Sequence, residues 1–178
     1  GITVHLAEVK TDLDFIRQEY GYSPVEYMGE LGLLDLGPRC VFAHGVWLTD
    51  NDITLLAQSG ATISHNPNSN TKLASGFCRV PELLAAGCNV ALGCDGGPSN
   101  NSYDLIREMK LAAMIHKAVA NDPRVVDAEA VLEMATLNGA KALGQADELG
   151  SLEVGKLADL VVIDPTGLNL TRFESQNP

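Results

Sequence analysis

Four short apolar runs in this chain each deliver a side chain that can ligate a metal or carry a proton. Ile2-Thr3-Val4 leads into His5, and Glu8 follows three residues later. Cys40-Val41-Phe42-Ala43 leads into His44, Ala61-Thr62-Ile63-Ser64 into His65, and Val90-Ala91-Leu92-Gly93-Cys94 into Asp95. A neutral imidazole is a good zinc ligand, and a carboxyl beside it can shuttle a proton to or from a substrate. Asp95 precedes Gly96 and Gly97, so its carboxylate comes with backbone room for a ligand to approach. Bound to a metal, it could also accept a proton from bound water. The polar stretch Asn66-Pro67-Asn68-Ser69-Asn70 after His65 points to substrate contact there. Each residue has a plainer alternative. His44 and His65 could be packed rings satisfied by backbone, His5 and Glu8 a chance spacing, and Asp95 a turn or helix cap.

The elements that must position these side chains alternate. Ser23-Pro24-Val25-Glu26 is a capping box with proline at the first helical position, opening a helix to about Leu31. Thr49 caps a helix through Ile53 and Leu56 that ends at Gly60. Residues 66–70 read as a polar loop, 81–87 as a short helix, and 96–101 as a loop. Leu105, Ile106, Met109, Ala112, Ala113 and His116 recur at helical spacing, and His116 reads as a helix-surface or packing residue. Asp127 caps one more helix.

Strands apolar on both faces, alternating with helices, indicate parallel βα units of the α/β class. Four such units make half of an eight-stranded barrel of the (β/α)8 TIM type, in which strand ends present ligands at the mouth. A small doubly wound domain is the alternative, but it does not explain why every strand ends on His or Asp. Residues 1–148 are therefore expected to form the half barrel. Residues 149–178, with an apolar strand at 157–164, are expected to lead into a small β-sandwich domain.

Composition narrows the function classes. A hydrophobic content of 46% with 20% charged residues suits a packed core, and no run reaches the ~18 apolar residues of a membrane span. A net charge of −11 without a basic cluster argues against nucleic-acid phosphate or an anionic membrane as partner. Cys40, Cys78, Cys88 and Cys94 form no Cys-x-x-Cys pair and read as buried thiols of a reducing compartment, so a cytoplasmic location is expected. Gly93 to Gly97 lacks the lysine and spacing of a phosphate loop.

Taken in order, Val4-His5-Leu6-Ala7-Glu8, Ala43-His44-Gly45, Ser64-His65-Asn66-Pro67-Asn68-Ser69-Asn70 and Leu92-Gly93-Cys94-Asp95-Gly96 with Ser99-Asn100-Asn101 resemble the C-terminal half of the amidohydrolase superfamily. The nearest branch is that of the S-adenosylhomocysteine/methylthioadenosine deaminases, with guanine deaminases and triazine chlorohydrolases beside it. Gly150-Ser151-Leu152-Glu153-Val154-Gly155-Lys156-Leu157-Ala158-Asp159-Leu160 resembles that family's return to its small β domain.

The resemblance implies roles. His5 and Asp95 would be metal ligands, for Zn2+ or alternatively Fe2+. Glu8 would protonate a ring nitrogen of the substrate, His44 would position the attacking water, and Asp95 would take that water's proton. His65, Asn68, Ser99 and Asn100 would line the substrate. The implied reaction is hydrolytic deamination of a purine or related N-heterocycle.

One departure matters. The family's first strand supplies a His-x-His pair, whereas the four histidines here stand at 5, 44, 65 and 116. Two ligands do not hold a catalytic metal. The expectation is thus a fragment, or one chain of a site completed by the N-terminal half of the barrel, in the same or another polypeptide. Exposed half-barrel edges leave room for a homo-oligomer. Dechlorination of a triazine-like ring and a non-catalytic half barrel are the competing readings.

Overall fold

Short β-branched and aromatic runs form the strands, and capping residues open the helices between them. The computed structural model describes residues 1–164. In chain order these are β1 (Ile2–Leu6), α1 (Lys10–Tyr20), α2 (Pro24–Glu30), a 3-10 turn (Leu34–Arg39), β2 (Cys40–His44), α3 (Asp50–Ser59) and β3 (Thr62–His65). There follow α4 (Pro67–Lys72), α5 (Val80–Ala85), β4 (Asn89–Leu92), α6 (Gly97–Asn100), α7 (Leu105–Ala120), α8 (Ala128–Ala135) and α9 (Leu137–Ala142). The sheet is wholly parallel with strand order β1-β2-β3-β4, so each strand pairs with the next across a helical connection. This is the α/β arrangement that the alternating pattern predicts.

Register decides which side chains share a face. Val4, Phe42, Ile63 and Val90 lie opposite one another on successive strands. The last three are fully buried and form the core with Leu56 and Leu83. Burying one such side chain stabilises the fold by about 1.5–3 kcal/mol. The neighbouring row is His5, Ala43, Ser64 and Ala91. Strand side chains alternate faces, so His5 and these three small residues occupy the opposite side of the sheet.

The expected caps form. Ser23 Oγ accepts the Glu26 N–H at 3.2 Å while Glu26 accepts the Ser23 N–H at 2.7 Å. Thr49 and Asp52 make the same reciprocal pair, at 3.1 and 2.8 Å. Caps of this kind are worth about 1 kcal/mol each. The Ser23 hydroxyl also donates to the buried Asp52 carboxylate, locking the two helix starts together.

Four expectations are corrected. Residues 66–70 do not form a loop, because Pro67 starts the helix α4 with Ser69 and Asn70 buried in it. Residues 96–101 contain the single helical turn α6, with Pro98 in its first turn and Asn101 in the left-handed conformation at its end. The helix α1 has no counterpart in the sequence reading, although Leu13, Ile16 and Tyr20 recur at helical spacing in it, because its mostly polar composition leaves Leu13 as its one buried residue. Residues 157–164 are exposed and irregular, with no strand. A strand needs a neighbouring strand to form a ladder, and among the described residues this segment joins no sheet, its Leu157 N–H donating instead to Glu148 O. The remainder of the expected β segment, including Pro165-Thr166-Gly167, lies outside the described residues.

No disulfide forms among the described residues. Cys40, Cys78 and Cys88 are buried, and burial pushes the Cys78 thiol up to about 12. No helix among the described residues is long and apolar enough to cross a membrane.

Candidate functional site

Parallel strands in register bring their C-terminal ends to one edge of the sheet, and there the candidate side chains meet. His5, Glu8 and His44 offer ligand atoms that all lie within 4.8 Å of one another. The rings of His5 and His44 stack with centroids 5.1 Å apart, and His44 Nε2 is 3.7 Å from Glu8 Oε2.

Local backbone produces this convergence. Register sets His44 opposite Leu6, on the face away from His5. Its ring nevertheless lies on the His5 ring, and its φ of 75° is the left-handed turn that re-aims it. Ala7 and Asp95 share this conformation, with φ of 48° and 57°. A non-glycine residue held there is strained by roughly 1–2 kcal/mol, and strain of this sort collects where a side chain must be aimed. Gly93 packs so closely that a Cβ there would lie 2.6 Å from Ser64 Oγ.

One ten-residue segment, 66–75, touches three members of the set. Ser69 Oγ donates to Asp95 Oδ2 at 2.5 Å. Asn70 Oδ1 lies 2.8 Å from His44 Nδ1, and Ser75 Oγ donates to Glu8 Oε1 at 3.4 Å. With the Asn70 oxygen accepting, Nδ1 carries the His44 proton and Nε2 keeps its lone pair. That Nε2 is fully buried and has no hydrogen-bond partner among the described residues. Burial opposes ionisation of Asp95, but hydrogen bonds from Ser69, the Gly96 backbone N–H and Ser99, with the nearby His44, outweigh it. The Asp95 carboxyl therefore sits below its ordinary value and is ionised at neutral pH.

The other expected site residues are placed differently. His65 faces the helix layer, where its Nε2 is 3.0 Å from Nε2 of the buried His116 on α7. Alternation along β3 sends it away from the His5 face, so it does not join the cluster. His116 is a packing residue, with no surface role. The side-chain amides of Asn68 and Asn100 donate to the Glu108 carboxylate, at 2.7 and 2.5 Å. Ser99 donates to Asp95 Oδ2 at 2.9 Å. Sequence reasoning did not single out Ser69, Asn70, Ser75 or Glu108. The available signal was an uninterrupted polar run directly after a strand ending in His. A concavity of about 910 Å³ runs along α7 between Asn68 and Met114, and none of His5, Glu8, His44 or Asp95 lines it.

The His65–His116 pair makes stability depend on pH. Burial lowers His116 to about 4, against an opposing effect of Glu82. His65 lies well below its ordinary value through burial, then through His116 and His44. Between about pH 6.5 and 4 the unfolded chain binds more protons than the folded one, so stability falls as pH drops through that window. Thermal unfolding of the protein followed from pH 7 to 4.5 should show this decline. The variant His116→Gln should flatten it, and an unaltered slope in that variant would exclude the pair as the cause.

A divalent ion fits the donor set. The His5 imidazole and the Asp95 carboxylate are ligand types that zinc and Fe(II) accept, while the buried His44 Nε2, with no hydrogen-bond partner among the described residues, is placed to accept a hydrogen bond from a water.

Comparison with known proteins agrees with this chemistry. A 5-methylthioadenosine/S-adenosylhomocysteine deaminase of Thermococcus sibiricus is 51% identical over 163 residues, covering 92% of this chain and 38% of that protein. An adenosine deaminase from Xanthomonas campestris, solved with bound zinc, superposes with a TM-score of 0.89 at 42% identity, over 95% of this chain and 38% of that one. An atrazine chlorohydrolase from Arthrobacter aurescens, complexed with zinc, gives a TM-score of 0.87 at 29% identity, over 97% and 38%. The chain thus spans well under half the length of these relatives. The sequence profile of the amidohydrolase family matches residues 1–178, and the chain belongs to that family.

Proposed function

We propose that the full-length protein hydrolytically deaminates a purine or related N-heterocycle and that this chain supplies one part of its active site. The observation that carries the reading is the meeting of His5, Glu8 and His44 within 4.8 Å; Asp95, held by Ser69 and Ser99, is coupled to that cluster electrostatically through His44. The relatives' activities toward adenine-type rings support the substrate class.

His5 and Asp95 would hold a divalent ion, zinc or alternatively Fe(II), together with ligands from residues outside this chain. Such an ion lowers the pKa of bound water to about 7 and supplies a nucleophile at neutral pH. His44 Nε2, with its lone pair free, accepts a hydrogen bond from the attacking water and orients it toward the ring carbon. Asp95 takes that water's proton. Glu8 delivers a proton to the ring nitrogen, Asp95 passes the water's proton on to the amino group, and that group leaves as ammonia while the new hydroxyl returns its proton to Glu8. Ser69 and Ser99 hold the Asp95 carboxylate for this work.

Residues 1–148 form strands five to eight of a (β/α)8 barrel in this reading, and 149–178 lead into a small β domain. The N-terminal half of the barrel completes the site, from the same chain or another. Cytoplasmic residence and a homo-oligomeric assembly belong to the same proposal. The likeness to an atrazine chlorohydrolase favours one second reading, dechlorination of a triazine-like ring.

A panel of adenosine, its 5′-thio derivatives, guanine and a chlorotriazine, offered to the full-length protein, distinguishes the readings. Ammonia from a purine is the expected result, with zinc found by elemental analysis. Chloride release alone would favour the second reading. Intact protein without metal or turnover would identify a non-catalytic scaffold.

A further inference from the structure

Glu108 is a carboxylate that is 1% exposed on α7, outside the cluster of His5, Glu8 and His44. Its Oε1 accepts from Asn68 Nδ2 at 2.7 Å and from Asn100 Nδ2 at 2.5 Å, and its Oε2 accepts the Asn68 backbone N–H at 3.2 Å. It makes no ion pair among the described residues, so three donors from two short helices are what make its burial tolerable. Those helices are α4 and α6, which follow different strands.

Each asparagine is the chain neighbour of a serine. Ser69, next to Asn68, and Ser99, next to Asn100, donate to the same atom, Asp95 Oδ2. Lys72 adds a second tie between the helices, donating to Pro98 O and Asn101 Oδ1. One buried carboxylate therefore fixes two asparagines, and their neighbouring hydroxyls fix a second carboxylate.

We propose that Glu108 is a positioning residue that holds Asp95 through the paired helices of Asn68-Ser69 and Ser99-Asn100. This rests on reading Asp95 as a metal ligand.

The test uses the full-length protein and zinc itself. Zinc release to a chelator is measured for wild type, Glu108→Gln, the double variant Ser69→Ala/Ser99→Ala, and all three substitutions together. Release from Glu108→Gln should be about ten-fold faster, the scale on which supporting residues tune metal affinity. The triple variant should release no faster than the quicker of its parents, within about two-fold, because both changes act on one carboxylate. Wild-type release from Glu108→Gln, or effects that multiply in the triple variant, would overturn the proposal. If Glu108→Gln fails to fold, Asn68→Ala carries the test, since it leaves Glu108 the Asn68 backbone N–H and the Asn100 amide, and leaves Asn100 on the Cys94 carbonyl. Faster release at an unchanged unfolding temperature is then expected, and a lower unfolding temperature with wild-type release would overturn it. A wild-type protein that binds no zinc would instead remove the reading of the site itself.

Discussion

The substitution Asp95→Asn in the full-length protein is expected to lower ammonia release by about 10³-fold or more while leaving thermal stability nearly unchanged. A positioned proton acceptor alone contributes on the order of 10²–10⁴-fold, and the substitution also weakens a proposed metal ligand. Stability survives for a local reason. Asp95 sits at φ 57°, and asparagine is among the few residues that enter the left-handed region readily. Its amide oxygen still accepts from Ser69 and Ser99. An alanine there would confuse loss of chemistry with loss of the turn, whereas asparagine separates them. Steady-state kinetics, elemental analysis and a melting curve on the same preparation suffice. Turnover within ten-fold of wild type would remove Asp95 from the mechanism.

The second large effect is expected from Glu8→Gln, a fall in kcat of about 10²–10⁴-fold with KM little altered. Glutamine keeps the size of the side chain and can accept the long hydrogen bond from Ser75, but it has no proton to give. The loss should follow the leaving group. Departing ammonia needs the ring nitrogen protonated, while departing chloride needs it far less. Comparison of an aminopurine with the matching chloropurine should therefore show a smaller penalty for the chloro compound. Equal penalties on both would mean that Glu8 orients or binds and does not transfer the proton. A rise in KM with kcat unchanged would place it in substrate binding alone.

Much of the fold was legible because its signals are local. The capping box at Ser23 and Glu26 depends on four neighbouring residues, and the strand Cys40–His44 on five. Parallel pairing then follows from alternation of strands and helices. The convergence of His5 with His44 was legible only in outline. Strand ends show which edge the rings share, but alternation alone would have sent His44 to the wrong face. The left-handed φ that corrects it has no signature, since Gly45 follows many kinds of strand.

The longest helix, α7, illustrates the remaining difficulty. The helical stripe Leu105, Ile106, Met109, Ala112, Ala113 and His116 includes two of its buried residues, Ala112 and His116, but not the third, Glu108. Two of those three are polar, because their partners, Asn68 and Asn100 for one and His65 for the other, come from distant turns of the chain. Hydropathy cannot anticipate a buried polar residue whose donors are supplied by tertiary structure. The absent strand at 157–164 is the opposite case, in which a strong apolar signal finds no strand to pair with among the described residues.

The stretch from Asn66 to Ser75 also limits how this protein can diverge. Hydroxyl and amide groups at positions 69, 70 and 75 meet Asp95, His44 and Glu8, which come from three other βα units. Their spacing is therefore fixed by distances set elsewhere. A one-residue insertion or deletion between them would shift the helical phase by about 100° and misalign several partners in a single mutational event. Length variation that tailors the molecule to new compounds is thus confined to other connections, and this stretch can change only by exchange of one side chain for another.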